Sequence, residues 1–313
     1  MHKLQSRRPA MLDASYARQI GMLAYQALLE EVDLEGKPGL VCPGSSGAHH
    51  DMDCALFQKS AHVLRPYFVS CALAGMRSTK ERISTLLPRL RPLGIEAEKA
   101  MYLATGGINT HKGAIFSMGL ATAAAGHVIA MTQSKRIDKP TISSARLSAM
   151  IKKTMMTIAG PVASRELPSA PASAGVRQYR KFGVTGARGQ AQSGYPIVFE
   201  HLLPFLMQRD GPERRLDALL YSISRLDDTC ILSRGGPEGL AFMQRRALDV
   251  LICGGAESAL GSASLARFCS ESKRHGLSPG GSADMLALAI FLRSAIHYMQ
   301  RVHAMPIPQG VFR

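Results

Sequence analysis

Apolar residues recur every three or four positions along most of this chain, and few stretches alternate with a period of two. Such spacing is typical of α-helices that bury one face, and the helices that it predicts are about 15 to 20 residues long. Clear examples are Ile20, Leu23, Ala24, Ala27, Leu28 and Val32, then Leu147, Met150, Ile151, Thr154, Met155 and Ile158, and then Leu216, Leu219, Leu220 and Ile223. We therefore predict an all-α fold, built as a single compact multi-helix domain.

Local signals set the predicted ends of several helices. Asp13 or Ser15 is predicted to begin the first one, because short polar side chains favour the N-cap position. Residues 78–81 fit a capping box, so we expect a helix to begin there. Pro88 and Pro92 are expected to break that helix, and another is expected to follow them.

The predicted domain spans residues 12–292. A loose basic leader, residues 1–11, precedes it, and the end of the last helix with a tail, residues 293–313, follows it. Within the domain, the segment 160–182 begins with several prolines among small residues, which predicts a mobile loop. We do not expect a domain boundary there, because similar glycine turns occur on both sides.

Charge narrows the range of partners. The chain of 313 residues has a formal net charge of +15, which favours phosphorylated small molecules, nucleic acid or an anionic membrane. The basic residues are spread along the chain beside glycine turns, which indicates a phosphate-binding cleft rather than a nucleic-acid arm. The absence of Trp and an aromatic content of 6% argue against base-stacking platforms. We expect no nucleic-acid partner, but a basic RNA-contacting helical protein stays open as an alternative.

Cysteine spacing and apolar runs indicate in which cellular compartment the protein is expected. None of the six cysteines forms a C-x-x-C pair, so we expect reduced thiols and a cytoplasmic protein. No apolar run follows the basic residues near the N-terminus, which predicts that there is no signal peptide. The most apolar stretch, residues 114–131, contains polar interruptions, so we predict a buried core helix and no membrane contact.

The first candidate site is the glycine turn and helix start TGGINTHKGAIF at residues 105–116. The paired glycines permit a tight turn, and Asn109 or Thr110 can cap the helix that follows. A helix start holds phosphate through free N–H groups, Lys112 adds a full positive charge, and His111 adds a base or donor. A well-capped helix with a surface lysine is the alternative.

The second candidate site is the loop at residues 42–53, which ends in a cluster of histidines and aspartates. His49 and His50 precede Asp51 and Asp53 there, and such side chains are costly to bury without partners. Carboxylate oxygens suit magnesium, and imidazole suits it less. The alternative is a helix capped by aspartate, with histidines that face solvent.

The second half of the chain repeats these features. Glycine turns carry Arg188 and Arg234, and Asp227 and Asp228 precede the second of them. Asp284 lies at a further helix start, where it either reaches the site or only complements the helix dipole. Arginine binds phosphate oxygens bidentately and aspartate binds magnesium. With no P-loop motif present, we predict one cleft, lined by helix N-termini, in a magnesium-dependent enzyme acting on a nucleoside polyphosphate.

Six sequence blocks, in this order, resemble those of the triphosphoribosyl-dephospho-CoA synthases. They are KPGLV at 37–41, GAHHDMD at 47–53, GGINTHKG at 106–113, TGARG at 185–189, SRGG at 233–236 and LSPGGSAD at 277–284. The resemblance implies that ATP and 3′-dephospho-CoA are the substrates. It also implies that the product is the prosthetic-group precursor of citrate lyase or malonate decarboxylase, passed on to the prosthetic-group transferase of the acyl carrier protein.

The implied reaction is a pentosyl transfer, in which the ribose 2′-hydroxyl of dephospho-CoA attacks C1′ of the ATP ribose and adenine leaves. A carboxylate can stabilise the oxocarbenium-like centre or deprotonate the hydroxyl. As a hypothesis, the catalytic residues are Asp51, Asp53, His111 and Asp228, and His111 either binds substrate or relays a proton. The residues predicted to bind substrate and phosphate are His49, Asn109, Thr110, Lys112, Arg188, Arg234 and Ser282. The predicted magnesium ligands are Asp51, Asp53, Asp227, Asp228 and Asp284.

Three positions depart from the family pattern. Many of its members have glutamates near Gln190 and Gln192 and an asparagine at Cys230. The glutamines remove two negative charges from the candidate site, which puts metal loading or rate in doubt. A metal-dependent phosphohydrolase, suggested by His50 and Asp51, is a second alternative, and the sequence leaves the oligomeric state open, a homo-oligomer included.

Overall fold

The computed structural model describes residues 7–134, 142–170 and 173–304, and within these ranges the chain forms helices and no β-strand. This confirms the predicted all-α fold class. The helices are α1 (Arg7–Val32), α2 (Cys54–Arg77), α3 (Leu87–Ala104), α4 (Lys112–Ser134), α5 (Ser144–Ala159), α6 (Val162–Glu166), α7 (Ala174–Phe182), α8 (Gly186–Ser193), α9 (Leu203–Gln208), α10 (Pro212–Arg225), α11 (Thr229–Ile252), α12 (Ala259–Arg274) and α13 (Gly280–Ala304). A π-helical turn, Ile197–Leu202, leads into α9.

The first and last helices overlap the predicted leader, residues 1–11, and the predicted C-terminal segment, residues 293–313. Helix α1 begins at Arg7 rather than at Asp13 or Ser15, so it includes part of the predicted leader. The remainder of that leader, residues 1–6, lies outside the described residues. At the other end α13 continues to Ala304, and the predicted tail beyond it is also outside them.

The predicted helix at residues 78–81 is wrong, because Ser78 ends α2 instead of beginning a new helix. Its hydroxyl donates a hydrogen bond to the Gly75 carbonyl at 2.7 Å, and two 3₁₀ turns, Ser78–Lys80 and Ile83–Thr85, occupy the segment before α3. Pro88 does not break a helix either, since it lies in the first turn of α3, where a missing N–H costs little. Pro92 is accommodated inside the same helix.

Two glycine- and proline-rich segments are more helical than loops of that composition usually are. The segment 160–182, predicted as a loop, contains α6 and α7. Helix α11 changes direction at Gly236, whose φ of 59° and ψ of −162° are not helical. Pro237 then begins the second half of α11, a position where the missing N–H of proline costs little.

Helix α13 lies at the centre of the molecule and packs against α1, α4, α9 and α10. Apolar side chains bury it on nearly every side, among them Leu286, Phe291 and Ile296. A helix that is apolar all round is expected in the interior of a large domain. Because its first turn points into a cleft, this buried helix positions the polar residues at its start.

Helices α2 and α4 run parallel and touch through their main chains. A Cβ added to Gly75 would lie 1.9 Å from the Ala123 carbonyl oxygen, and one added to Gly126 would lie 2.1 Å from that of Ala72. Each helix therefore supplies a glycine where the other presents its backbone. This reciprocal contact fixes the spacing of the two helices with no side chain between them.

Helix α4 accounts for the apolar stretch noted in the sequence. Residues Lys112–Gln133 are long and apolar enough to cross a membrane, and they are the only such candidate in the described ranges. Their most apolar window is 83% buried inside the protein. The prediction of a buried core helix at this position is therefore confirmed.

Candidate active site

A cleft of about 1540 Å³ opens where the starts of α4, α8, α11 and α13 meet the loop between α1 and α2. Most of the residues predicted for the site line this cleft. They are His49, Asp51, Asn109, Thr110, His111, Lys112, Arg188, Asp227, Asp228, Arg234 and Asp284. Asp53 and Ser282 do not line it, although both were predicted to act there.

His49 is held in place by two neighbours from the second half of the chain. Its Nδ1 accepts a hydrogen bond from the Arg234 guanidinium at 3.1 Å, so its Nε2 donates to the Ser278 hydroxyl at 2.9 Å. Burial, followed by the charge of Arg234, lowers the pKa of His49 to about 4. The imidazole is therefore neutral at physiological pH and joins the early loop to α11 and to the segment before α13.

The other members of the His-Asp cluster lie apart from one another. Asp53 is an exposed cap of α2, where its carboxylate accepts from the Leu56 N–H at 2.8 Å. His50 is exposed and outside the cleft. Asp51 is also exposed but lines the cleft, with a carboxylate oxygen 3.8 Å from His49 Nδ1. Asp53 therefore caps a helix, as the alternative interpretation of this loop predicted, whereas Asp51 lines the cleft.

Asp228 joins the starts of two helices. One carboxylate oxygen accepts from the Cys230 N–H at 2.8 Å and so caps α11. The other accepts from the N–H and the hydroxyl of Ser282, at 2.8 and 3.1 Å, at the start of α13. Burial raises the pKa of Asp228, although these hydrogen bonds oppose the shift. Ser282, predicted as a substrate ligand, is fully buried and instead holds this carboxylate.

Asp284 lies one half-turn further along α13 and has no hydrogen-bond donor among the described residues. Its carboxylate lies beside the backbone of Gly113, where an added Cβ would be 2.1 Å from Oδ2. Burial, followed by the charges of Asp228 and Glu31, raises the pKa of Asp284 well above its usual range. The floor of the cleft therefore carries two closely spaced acids, Asp228 and Asp284, neither of which pairs with a cation among the described residues.

A buried ion pair borders these acids. The Lys37 ammonium donates to the Glu31 carboxylate at 2.7 Å, and the two residues are only 3% and 7% exposed. Because each buried charge satisfies the other, removal of either leaves an unpaired ion in the interior. Both residues line the cleft, although neither was predicted from the sequence as a site residue.

The start of α4 is built as its sequence predicts. The Asn109 side-chain oxygen accepts from the Lys112 N–H at 3.2 Å, which makes Asn109 a cap of this helix. The Lys112 ammonium pairs with Glu98 of α3 at 2.7 Å. Glu98 also lines the cleft, whereas Glu96 pairs with Lys99 outside it. A phosphate that binds Lys112 must therefore compete with Glu98 or share the ammonium with it.

His111 lies beneath that turn. It is 4% exposed, its Nδ1 is 2.8 Å from the Ser60 hydroxyl, and its Nε2 has no partner in the described structure. Burial, followed by the charge of Lys37, lowers the pKa of His111 to about 3. The ring is therefore a neutral hydrogen-bonding group at physiological pH.

The three positions that depart from the family pattern lie in α8 and α11. Arg188 lines the cleft and pairs with Glu166 of α6 at 3.4 Å. Gln190 also lines it, and its side-chain oxygen is buried without a partner among the described residues. Gln192 lies outside the cleft, where its oxygen accepts from the Ala163 and Ser164 N–H groups and caps α6. Cys230 lines the cleft, and burial raises the pKa of its thiol.

The charge of the cleft differs from that of the whole protein. Six carboxylates line it (Glu31, Asp51, Glu98, Asp227, Asp228 and Asp284), against five cations (Lys37, Lys112, Arg188, Arg225 and Arg234). The net charge of +15 is therefore not concentrated there. No group of three or more His, Cys, Asp or Glu that could hold a metal ion occurs in the described residues, so the five aspartates predicted as magnesium ligands are not assembled as one cage.

Comparison with known proteins shows what this chain is similar to. A family model described as ATP:dephospho-CoA triphosphoribosyl transferase matches residues 17–302. A 2-(5′′-triphosphoribosyl)-3′-dephosphocoenzyme-A synthase of Haemophilus ducreyi is 39% identical over 292 residues, which cover 90% of each chain. The synthase of Escherichia fergusonii is 36% identical over 281 residues, 88% of this chain and 90% of its own. A probable synthase of Azotobacter vinelandii is 38% identical over 285 residues, 89% and 91% of the two chains. No solved structure matches this chain.

Proposed function

The chain belongs to the ATP:dephospho-CoA triphosphoribosyl transferase family, and we propose on this basis that it transfers the 5-triphosphoribosyl group of ATP to the ribose 2′-hydroxyl of 3′-dephospho-CoA and releases adenine. The observation that carries the proposal is the match of the family model to residues 17–302, which include every described element that lines the cleft. The cleft of about 1540 Å³ has room for two nucleotides, since pockets for single ligands measure about 300 to 1,000 Å³.

The cations of the cleft bind the triphosphate in this proposal. Lys112 and the free N–H groups at the start of α4 face the same space as Arg188 and Arg234. In the unliganded protein each cation already has a partner: Lys112 has Glu98, Arg188 has Glu166, and Arg234 has His49. Binding of the triphosphate therefore exchanges two ion pairs and one hydrogen bond within the protein for phosphate contacts, which favours a ligand with several charges over one with a single charge.

The carboxylates of the cleft serve the pentosyl transfer. Asp228 has hydrogen bonds at both oxygens, so its role is to hold the starts of α11 and α13 in register. Asp51, Asp227 and Asp284 have carboxylates that face the cleft. One of them accepts the proton of the attacking 2′-hydroxyl, and a second stabilises the positive charge that develops at C1′.

The donor set fits a magnesium ion that arrives with the triphosphate. Magnesium commonly takes one or two carboxylates and completes its shell with substrate phosphates and water. Asp284 and Asp51 line the cleft and offer such carboxylates. When bound, the ion neutralises phosphate charge. Asp53 does not line the cleft and is left out of this proposed set.

The context of the reaction belongs to the same proposal. We propose that the enzyme works in the cytoplasm and that its product is the prosthetic-group precursor of citrate lyase or malonate decarboxylase. The product keeps the triphosphate, and transfer from it to a hydroxyl group of a carrier protein would release pyrophosphate. The prosthetic-group transferase of the acyl carrier protein is the proposed partner.

The test is incubation with ATP, magnesium and dephospho-CoA, followed by chromatography for free adenine. Adenine should appear only when both nucleotides are present. Release of phosphate without adenine would instead indicate a phosphohydrolase, and salt-sensitive RNA binding without either product would indicate the RNA-contacting alternative.

A matched pair of variants connects the activity to the cleft. Arg234→Ala removes a cation of the cleft, and we expect the KM for ATP to rise about 10- to 100-fold, as for the loss of a charge-assisted hydrogen bond. Arg245→Ala removes an exposed cation of the same helix outside the cleft and should leave the KM unchanged.

A further inference from the structure

A short chain of hydroxyl groups controls the imidazole of His111. Thr110 Oγ1 donates to Ser60 Oγ at 2.6 Å, and Ser60 Oγ lies 2.8 Å from Nδ1 of His111. Because the Ser60 oxygen accepts from Thr110, its own proton is directed to Nδ1 of His111, the other polar atom within hydrogen-bond distance. Nδ1 is then an acceptor, so a neutral ring must carry its proton on Nε2.

The Nε2–H group produced in this way has nothing to bind. Nε2 is buried and has no partner among the described residues, although His111 is part of the cleft wall. The ring cannot turn freely, because Phe57 packs against it with the two ring centroids 5.0 Å apart. An unsatisfied donor that is buried and fixed at the wall of a cleft is a binding element for a ligand acceptor.

A second serine–histidine pair has the opposite arrangement. Ser78 Oγ lies 2.9 Å from Nδ1 of His127, but the Ser78 hydroxyl donates to the Gly75 carbonyl at 2.7 Å. Its single proton is thereby used, so Nδ1 of His127 must donate to Ser78. The first pair joins Ser60 of α2 to His111, which directly precedes α4. The second joins Ser78, the C-cap of α2, to His127 of α4. The second pair lies outside the cleft.

We propose that Ser60 and Thr110 are positioning residues that hold His111 as the Nε2–H tautomer, and that His111 donates this hydrogen bond to a phosphate oxygen of the bound triphosphate. The choice of ligand rests on the proposed function and on the neighbouring start of α4, where Lys112 and free N–H groups favour an anionic oxygen. The low pKa of His111, which results from burial and the charge of Lys37, keeps the ring neutral. His111 is accordingly a fixed donor and not the proton relay that the sequence left open.

Nitrogen-15 NMR of the histidine rings tests the tautomer directly, in the full chain and without substrate. In the wild-type protein His111 should show a protonated Nε2 and an unprotonated Nδ1, and His127 should show the reverse. Ser60→Ala should remove the preference at His111, and Ser60→Thr, which keeps a hydroxyl, should restore it. Ser78→Ala should alter only His127 and leave adenine release unchanged. A protonated Nδ1 at His111 in the wild-type protein would overturn the proposal, even where Ser60→Ala fails to fold.

Substrate probes then test the ligand. Addition of magnesium with inorganic triphosphate, or with ATP, should shift the Nε2 resonance of His111, and dephospho-CoA alone should not. A shift with dephospho-CoA alone would contradict the assignment to the triphosphate.

Amide substitutions separate a donor from a proton relay. Gln places an amide N–H near the position of Nε2, whereas Asn places it near Nδ1. We expect His111→Ala and His111→Asn to lower kcat/KM about 10- to 100-fold, as for a lost hydrogen bond to a charged group, and His111→Gln to recover most of that loss. If His111→Gln were as inactive as His111→Ala, the donor role would be wrong. Absence of adenine release by the wild-type protein would defeat the proposed function and leave the tautomer result standing.

Discussion

Asp284→Asn should make the unliganded protein more stable while it removes activity. The Asp284 carboxylate has no hydrogen-bond donor among the described residues and lies near the charges of Asp228 and Glu31. Asn keeps the shape of the side chain but removes the charge. A carboxylate that weakens the free protein in this way is expected where a cation or a substrate supplies the missing partner.

The size of the effect follows from proton linkage. In the unfolded chain the Asp284 carboxyl has its ordinary pKa of 3.8, whereas burial and the neighbouring acids raise its pKa in the folded state. A raised folded pKa adds stability below pH 3.8, and this stability is lost as pH rises towards the folded pKa. The loss amounts to at most about 1.4 kcal/mol per pH unit. The variant has no such loss, so we expect it to exceed the wild type by about 1 to 3 kcal/mol near pH 8, the usual cost of an unsatisfied buried group.

Urea unfolding in the presence of a chelator, at several pH values between 4 and about 8.5, measures this difference. The advantage of Asp284→Asn should be small at the acidic end and should grow with pH. Asp53→Asn is the control, because it replaces an exposed helix cap by another good cap and should change stability little. Magnesium with inorganic triphosphate should stabilise the wild type more than Asp284→Asn. A variant less stable than the wild type at pH 8, or an advantage that does not depend on pH, would refute the reasoning.

Three further substitutions test the supports of the cleft. Asp228→Asn should cost about 2 to 4 kcal/mol in urea unfolding, because an amide can accept for only one of the two helix starts that the carboxylate joins; an unchanged midpoint would show that Asp228 does not join them. Lys37→Met should cost about 3 to 5 kcal/mol, since it leaves a buried carboxylate unpaired, and a loss below about 1 kcal/mol would contradict a buried pair. Gly113→Ala should reduce adenine release at least about tenfold, because its Cβ would be 2.1 Å from the Asp284 carboxylate. Gly94→Ala in α3, where the nearest atom would be 3.7 Å away, should retain full release, and equal losses in the two glycine variants would exclude the local explanation.

The fold could be predicted well where hydrophobic spacing decides the structure. The helical spacing of apolar residues located α5 and α10. Errors occurred where a polar residue had two possible partners. Ser78 fits the first position of a capping box, but its hydroxyl serves the preceding helix, and a sequence does not show which of two adjacent helices a serine caps.

The candidate site could be predicted where side chains follow glycine turns, and was missed where the partners are far apart in sequence. Lys37 looked like a residue after the end of a helix, and nothing in its neighbourhood showed that it is buried against Glu31. Ser60 looked like an ordinary residue of a helix face, because its partner His111 is 51 positions away. Asp228 was predicted as a metal ligand, but its second oxygen is occupied by Ser282, 54 positions later.

The reciprocal glycine contacts between α2 and α4 limit what a saturation-mutagenesis map of this chain would reveal about its substrates. Gly75 is about 22 Å along α2 from Ser60, at 1.5 Å per residue, yet a methyl group there would meet the Ala123 carbonyl and force the two helix axes apart. Because Ser60 and His111 depend on that spacing, a growth-based selection would score Gly75 and Gly126 as intolerant as His111 itself. Intolerance at these glycines would report the distance between two backbones, and it should not be read as an allosteric route or a second binding surface.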